Sequence, residues 1–331
     1  MSESHWNGAD HRQVRRVRSI QELSDETIWD EPFIVPSEVL PSHEFVHVPN
    51  GVDIVDYIVR ELADCEVQVG ERCVSTSFRE WFDRLRRDPQ MYLRDLHVNR
   101  LKQGFKLFET PKVFSDWLNE YCNAQPNQGP RPVLDFQFMY WGAEASRTPF
   151  HRDVMGTFSW SHNLRGKKYW KFFHTNHVVF ECFQSPGETV FVPSQCFHTV
   201  ENMCDDTISV NQNWINEFNI HEVAEQLVSD AKKVREDLLA FGATDDNETS
   251  DQVEQIVWAN NALNLTNLLY VIQFALTNRD MQTLSSRGKQ NMIKAVELMN
   301  VVHSDPALYR CIRDRLGCSF WPSYTVIHLS N

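Results

Sequence analysis

Residues Phe150 to Phe173 read FHRDVMGTFSWSHNLRGKKYWKFF, and the fold turns on how this stretch is understood. Two short runs in it alternate side chains with period two, the signature of strands. In the first, Thr157, Ser159, Ser161 and Asn163 share one face, and Phe158, Trp160 and His162 share the other. In the second, Lys168, Trp170 and Phe172 oppose Lys167, Tyr169, Lys171 and Phe173. The face with two lysines is the outward one. Lys168 then points inward, where a lone ammonium is costly without an anion. Either it snorkels at a strand end, or an anionic ligand such as a dicarboxylate meets it. The small hydroxyls of the first run fit either a carboxylate pocket or a wet face. Ser209, Asn211 and Asn213 pose the same choice.

Just ahead of these runs stand His151 and Asp153. His-x-Asp alone is a weak signal, and His303-Ser304-Asp305 repeats it at a helix end before Pro306. There Ser304 or Asp305 reads as a helix cap. The copy at 151 leads instead into β runs that bring a third donor. GETVFVPSQCFHTVEN supplies a strand, a proline turn and His198 opening another strand. Two histidines and one carboxylate with open positions suit Fe(II). Zinc could take the same donors, but no HExxH base accompanies them. Cys204-Asp205-Asp206 reads as a turn, and Cys196 lies close in sequence to His198.

Outward from this centre, DFQFMYW, GTFSWSHNL, KKYWKFF, ETVFVP, HTVENM and TISVNQNWI are short β runs broken by Gly, Pro, Asn and Asp, which predicts an antiparallel sandwich or barrel. Upstream, GVDIVDYIVRELADC, STSFREWFDRLRRD and VFSDWLNEYCN predict helices, the last starting near Ser115 or Asp116. EFVHV and MYLRDLHV are strand candidates. Downstream, residues 221–241, 250–276 and 288–302 carry helical periodicity, with GATDDNETS as a loop. The apolar segment NLTNLLYVIQFAL either packs against the barrel or forms a homodimer seam. The expected organisation is a disordered polar tail over 1–30, a catalytic domain with an α/β flank over 31–217, and a helical region over 218–331.

The 331 residues carry a formal charge of −13, which disfavours a nucleic-acid partner. No apolar run is long enough for a membrane span, and the N-terminal residues lack the core of a secretory leader. Eight cysteines without a CxxC pair fit reduced thiols. These features predict a cytoplasmic protein, with the nucleus as a second compartment.

Taken together, FHRDVMGTFSWSHNLRGKKYWKFF, GETVFVPSQCFHTVEN and DDTISVNQNWINEFN resemble the JmjC-domain 2-oxoglutarate oxygenases. MYLRDLHVNRL and FSDWLNEYC strengthen the likeness, which spans roughly residues 90 to 220. The resemblance implies a double-stranded β-helix (a cupin-like jelly roll) with flanking helices. It implies Fe(II) on His151, Asp153 and His198, with 2-oxoglutarate and O₂ as cosubstrates. The distal carboxylate of 2-oxoglutarate would lie on Lys168, helped by Tyr92 and Thr148. Thr157, Ser161 and Asn211 fall where relatives place polar pocket residues. This chain departs from the family at Phe173-His174-Thr175, in a short segment from His174 to Ser185, and at Phe197 after Cys196. Within the family, the likeness is to the group that hydroxylates a lysine of the eukaryotic translation release factor. A histone lysine demethylase and a catalytically inactive adaptor are the competing readings.

Overall fold

The structure, a computed structural model, describes residues 12–69, 74–85, 88, 92–124, 135–174 and 177–313. They divide into two compact units.

The first unit comprises Met1–Phe114, Phe136–Asp153 and Phe158–Asn213. Its strands in chain order are β1 (Arg12–Gln13), β2 (Arg15–Arg16), β3 (Phe33–Val35), β4 (Glu66–Val69), β5 (Val74–Ser77), β6 (Leu93–Leu96), β7 (Gln137–Gly142), β8 (Arg147–Arg152), β9 (Phe158–Arg165), β10 (Lys168–His174), β11 (His177–Gln184), β12 (Thr189–Val192), β13 (Phe197–Asn202) and β14 (Thr207–Trp214). One sheet has the order β1-β11-β10-β13-β8, the other β2-β3-β12-β9-β14-β7-β6, and β4 and β5 form a separate pair. This is the jelly-roll core expected of the sequence, with α1 (Ile54–Leu62) and α2 (Phe78–Leu85) in its flank.

The alternation along β10 holds: Lys168, Trp170 and Phe172 are buried, and Tyr169, Lys171 and Phe173 are partly exposed. Trp170 and Phe172 join Val14, Ile34, Cys182, Val190, Val192 and Val200 in one apolar cluster drawn from both sheets. Burying such side chains contributes roughly 1.5–3 kcal/mol each. The alternation along β9 has a different outcome, because neither face is wet. Ser161 and Asn163 are buried on one side, Trp160 and His162 on the other. Phe45 stacks on the His162 ring at 4.1 Å, and Phe114 lies 6.1 Å from Trp160. The His162 ring bonds to the hydroxyls of Thr189 and Ser42, and burial lowers its pKa to about 3. The flank thus closes this sheet from outside.

Several expectations need correction. Residues 12–30 are not a disordered polar tail: β1 and β2 join the two sheets, and Val14 between them reaches the core. Residues 1–11 lie outside the described part. EFVHV is not a strand; a 3₁₀ turn over Ser42–Glu44 precedes a single bridge from Val46 to Phe108. β8 and β11 were not anticipated, although β8 carries His151. The domain edge also differs: Ser115–Asp135 and Val154–Thr157 group with the helical unit, which resumes at Trp214.

The second unit is built from α3 (Trp117–Ala124), α4 (Ile220–Ala240), α5 (Asn247–Asn261), α6 (Leu265–Asn278), α7 (Ser286–Ser304) and α8 (Pro306–Arg313). Asp116 caps α3 by accepting from the Asn119 amide at 2.9 Å. The long periodic run over 250–276 is two helices. Ala262 takes a left-handed conformation (φ 55°) and Asn264 caps the next helix, so the chain breaks between them. Buried Glu254 completes that start, accepting from the amides of Leu265 and Thr266. Asp305 caps α8, as read from the sequence, through the amides of Ala307 and Leu308. No helix among the described residues is long and apolar enough to cross a membrane.

Candidate metal centre

β8 and β13 are antiparallel neighbours, and their register sets His151 directly opposite His198. Asp153 follows one step beyond the end of β8. One ligand atom from each of His151, Asp153 and His198 lies within 4.8 Å of the others. Among the described residues this is the one such group of metal-binding side chains.

Hydrogen bonds prepare each donor. His151 Nδ1 lies 2.8 Å from the Pro149 carbonyl, and His198 Nδ1 lies 3.2 Å from the Cys196 carbonyl. A carbonyl only accepts, so each Nδ1 carries the proton and each Nε2 is left with its lone pair free. Both carbonyls come from two residues earlier, so the strand itself selects the tautomer. On β9, in the other sheet, Ser159 donates to Asp153 Oδ2 at 2.6 Å. Burial, aided by nearby His151 and opposed by Asp153, lowers the pKa of His198 to about 4. That ring is therefore neutral at pH 7, as a ligand must be. Arg152 bonds Gln195 and lies 5.7 Å from the Phe197 ring, tying together the two segments that carry the histidines.

Lys168 also enters the same cavity, which is lined further by Tyr92, Tyr140, Thr148, Ser161, Asn211 and Asn213. Its ammonium is buried and donates to Ser209 Oγ at 2.5 Å; it has no ion pair among the described residues. Burial lowers its pKa to about 7. The Ser161 hydroxyl is buried in the same place without a partner among the described residues. Tyr92 is held by hydrogen bonds from Thr148 and Asn202, and burial raises its pKa to about 12.

The sequence-derived candidates thus divide. His151, Asp153, His198, Lys168, Tyr92, Thr148, Ser161 and Asn211 line one cavity. Thr157 does not; it is buried, and its hydroxyl donates to the Val154 carbonyl at 3.0 Å. Tyr140 was missed, although the alternation of Phe138 and Tyr140 against Met139 and Trp141 could have shown it. Cys196 carries no activated thiol, since burial, with Asp153 adding to it, pushes its pKa up to about 12.

The residues present fit an Fe(II) ion and a dicarboxylate. Two imidazoles and one carboxylate leave coordination positions open. An unpaired buried ammonium and an unpartnered hydroxyl lack the anion that would satisfy them.

A family model described as JmjC domain, hydroxylase, matches residues 138–179 and 174–214. The chain is 30% identical over 274 residues to the arginine-specific demethylase JMJ20 of Arabidopsis thaliana, covering 69% of this chain and 58% of that protein. It is 32% identical over 215 residues to the 2-oxoglutarate and iron-dependent oxygenase JMJD4 homolog of Drosophila melanogaster, covering 57% and 48%. It is 35% identical over 182 residues to the human 2-oxoglutarate and iron-dependent oxygenase JMJD4, covering 45% and 42%. The chain spans about half the length of these curated relatives.

Proposed function

This chain carries a JmjC domain, and on that premise we propose that it is an Fe(II)- and 2-oxoglutarate-dependent oxygenase that hydroxylates a lysine of a protein substrate, the translation release factor. The observation that carries the oxygenase reading is the gathering of His151, Asp153 and His198 beside a buried, unpaired Lys168. The finer reading is supported by the likeness to the JMJD4 oxygenases and by the sequence motifs they share.

When bound, iron and 2-oxoglutarate supply the activation of O₂ and the oxidising power. The protein's residues do the rest. His151 and His198 present Nε2 in a fixed tautomer. Ser159 orients the Asp153 carboxylate. Lys168 attracts the far carboxylate of the cosubstrate, with Ser161 and Asn211 offering polar contacts beside it. Tyr92 and Thr148, which line the same cavity, would help to hold that carboxylate. Trp160, Trp170 and Val200 are the apolar members of an otherwise polar lining.

A second reading has its own support, because the Arabidopsis relative is named an arginine-specific demethylase. The same oxidant acts on an N-methyl group as on a C–H bond, so an N-demethylase, including one for histone lysine, uses the same residues. An inactive adaptor is the third reading; its donors would not need second partners, whereas both histidines and Asp153 have them here.

The test is succinate formation from 2-oxoglutarate with Fe(II) and recombinant release factor, against a His151→Ala control, with the substrate read by intact mass. A gain of one oxygen, absent in the control, supports the hydroxylase. Loss of a methyl group from methylated peptides, with the release factor unchanged, overturns it in favour of the demethylase.

A further inference from the structure

The two sheets of the first unit differ in what lies on their outer faces. Phe45 and Phe114 pack against β9 of one sheet. On the other, β1-β11-β10-β13-β8, the side chains turned away from the apolar cluster meet solvent. Phe183 is 47% exposed and Phe150 46%, and no other large apolar side chain described in that unit is as open.

These two belong to one aromatic surface drawn from four strands. Phe150 of β8 stacks on Phe197 of β13 with centroids 5.0 Å apart and meets Phe173 of β10 edge-on at 5.0 Å. Tyr169 of β10 stacks on Phe183 of β11 at 4.8 Å. Lys171 joins the two groups, lying between Tyr169 and Phe173 on the same side of β10. Apolar side chains gathered on an open face mark an interaction surface.

Three cations overlie these rings. Lys167 Nζ is 4.4 Å from the Phe183 centroid, Lys171 Nζ 5.3 Å from that of Tyr169, and Arg152 5.7 Å from that of Phe197. Among the described residues none of the three forms an ion pair; Arg152 bonds only the Gln195 amide. The two carboxylates of the face are engaged elsewhere. Glu181 accepts from the Tyr169 hydroxyl at 2.6 Å, and Glu201 pairs with Arg147 at 3.6 Å. A chain of formal charge −13 thus keeps unpaired cations over rings on a single face.

This charge selects the occupant. A second copy meeting this face through a two-fold axis would set the same cations against one another. A nucleic acid would bring its phosphates to Glu181 and Glu201. Carboxylates of a polypeptide suit the cations, and its apolar side chains suit the rings. We propose that this face docks an extended acidic polypeptide segment, with aromatic or large aliphatic side chains on Phe150 and Phe183 and carboxylates on Arg152, Lys167 and Lys171. The proposal goes beyond the oxygenase reading and stands on the sheet alone.

Selection of a random-peptide phage library on the full chain tests it, with enriched peptides labelled with fluorescein and titrated by polarisation. The enriched peptides are expected to be net acidic and to carry aromatic or large aliphatic residues, and to bind more weakly as salt is raised. Lys167→Glu, Phe183→Ser and Phe150→Ser, exposed changes checked for folding by melting curves, are each expected to weaken them about tenfold. Phe241→Ser, at a residue 91% exposed in the helical unit, is expected to change nothing. No enrichment, enrichment without acidic residues, or indifference to the three substitutions overturns the proposal. A labelled single-stranded RNA that binds more tightly than the peptides, with the same dependence on Lys167 and Phe183, overturns it in favour of a nucleic acid. A wild-type dimer that Phe150→Ser dissociates in sedimentation overturns it in favour of a second copy.

Discussion

His151 and His198 face each other across β8 and β13 with ring centroids 4.2 Å apart, and each ring is fixed by the carbonyl two residues before it. Two strands in register therefore make most of the metal site, and Asp153 completes it from just beyond a strand end. Such a site depends on partners outside the ligands themselves.

Ser159→Ala removes the hydroxyl that holds Asp153 Oδ2. Losing such a partner costs on the order of 10- to 100-fold in metal affinity. We expect that loss in an Fe(II) or Mn(II) titration, with the melting temperature of the metal-free protein nearly unchanged. An unaltered metal affinity would show that the carboxylate is oriented by other means.

Lys168 gives a pH dependence with a definite sign. Its pKa falls from 10.5 to about 7 through burial, and a dicarboxylate binds the charged form. Affinity for 2-oxoglutarate is expected to weaken as pH rises above about 7, by up to tenfold per unit, with proton uptake visible in calorimetry. For stability the direction is opposite. The unfolded chain holds a proton on this lysine that the folded chain releases between about pH 7 and 10.5, so this group's burial penalty is full below that window and is relieved as pH rises through it. Lys168→Met should abolish 2-oxoglutarate binding yet raise the melting temperature at pH 6.5, with the gain shrinking by pH 9.

Gly142 is a packing requirement. A Cβ there would come within 2.3 Å of Ser146 Oγ and 2.6 Å of both Asn202 Nδ2 and Tyr92 Cδ2. Gly142→Ala is expected to cost about 1–3 kcal/mol in denaturant unfolding, the usual cost of overpacking. Because Tyr92 must give way, 2-oxoglutarate affinity should fall as well, while Fe(II) affinity holds.

Leu268 and Ile272 are buried within the chain, so a homodimer seam would have to use other residues of the helical unit. Leu268→Asp should unfold the protein at physiological temperature, since even truncation of a buried leucine costs about 2–5 kcal/mol. A folded monomer in sedimentation, with the wild type dimeric, would instead restore the seam.

Much of this was legible because period-two alternation reports burial directly. Along β10 it put Lys168 on the inward face before any neighbour was known. The same rule was ambiguous along β9, where both faces are buried and only the aromatic layer from Phe45 and Phe114 explains why. β8 escaped because RTPFHR contains a proline and mixes charge with apolar groups on both faces. Helical periodicity could not see the break at Ala262, since a left-handed residue leaves no mark on hydrophobic spacing. Both the alternation along β9 and the resemblance set Thr157 beside Ser161, but its backbone neighbourhood directs its hydroxyl to Val154.

The strands β1 and β2 have a consequence for how the chain is made. Arg16 bonds Glu188, a residue 172 positions later. Arg12 and Gln13 pair with Phe180 and Glu181. At roughly 5–20 residues per second, the ribosome emits these partners many seconds after residues 12–16 have left the tunnel. Through that interval β2 can pair with β3, but β1 has no partner strand and Val14 lacks every residue of its apolar cluster except Ile34. Of the described chain, the part synthesised first is thus among the last to be folded, and this delay is a window in which a chaperone could hold it.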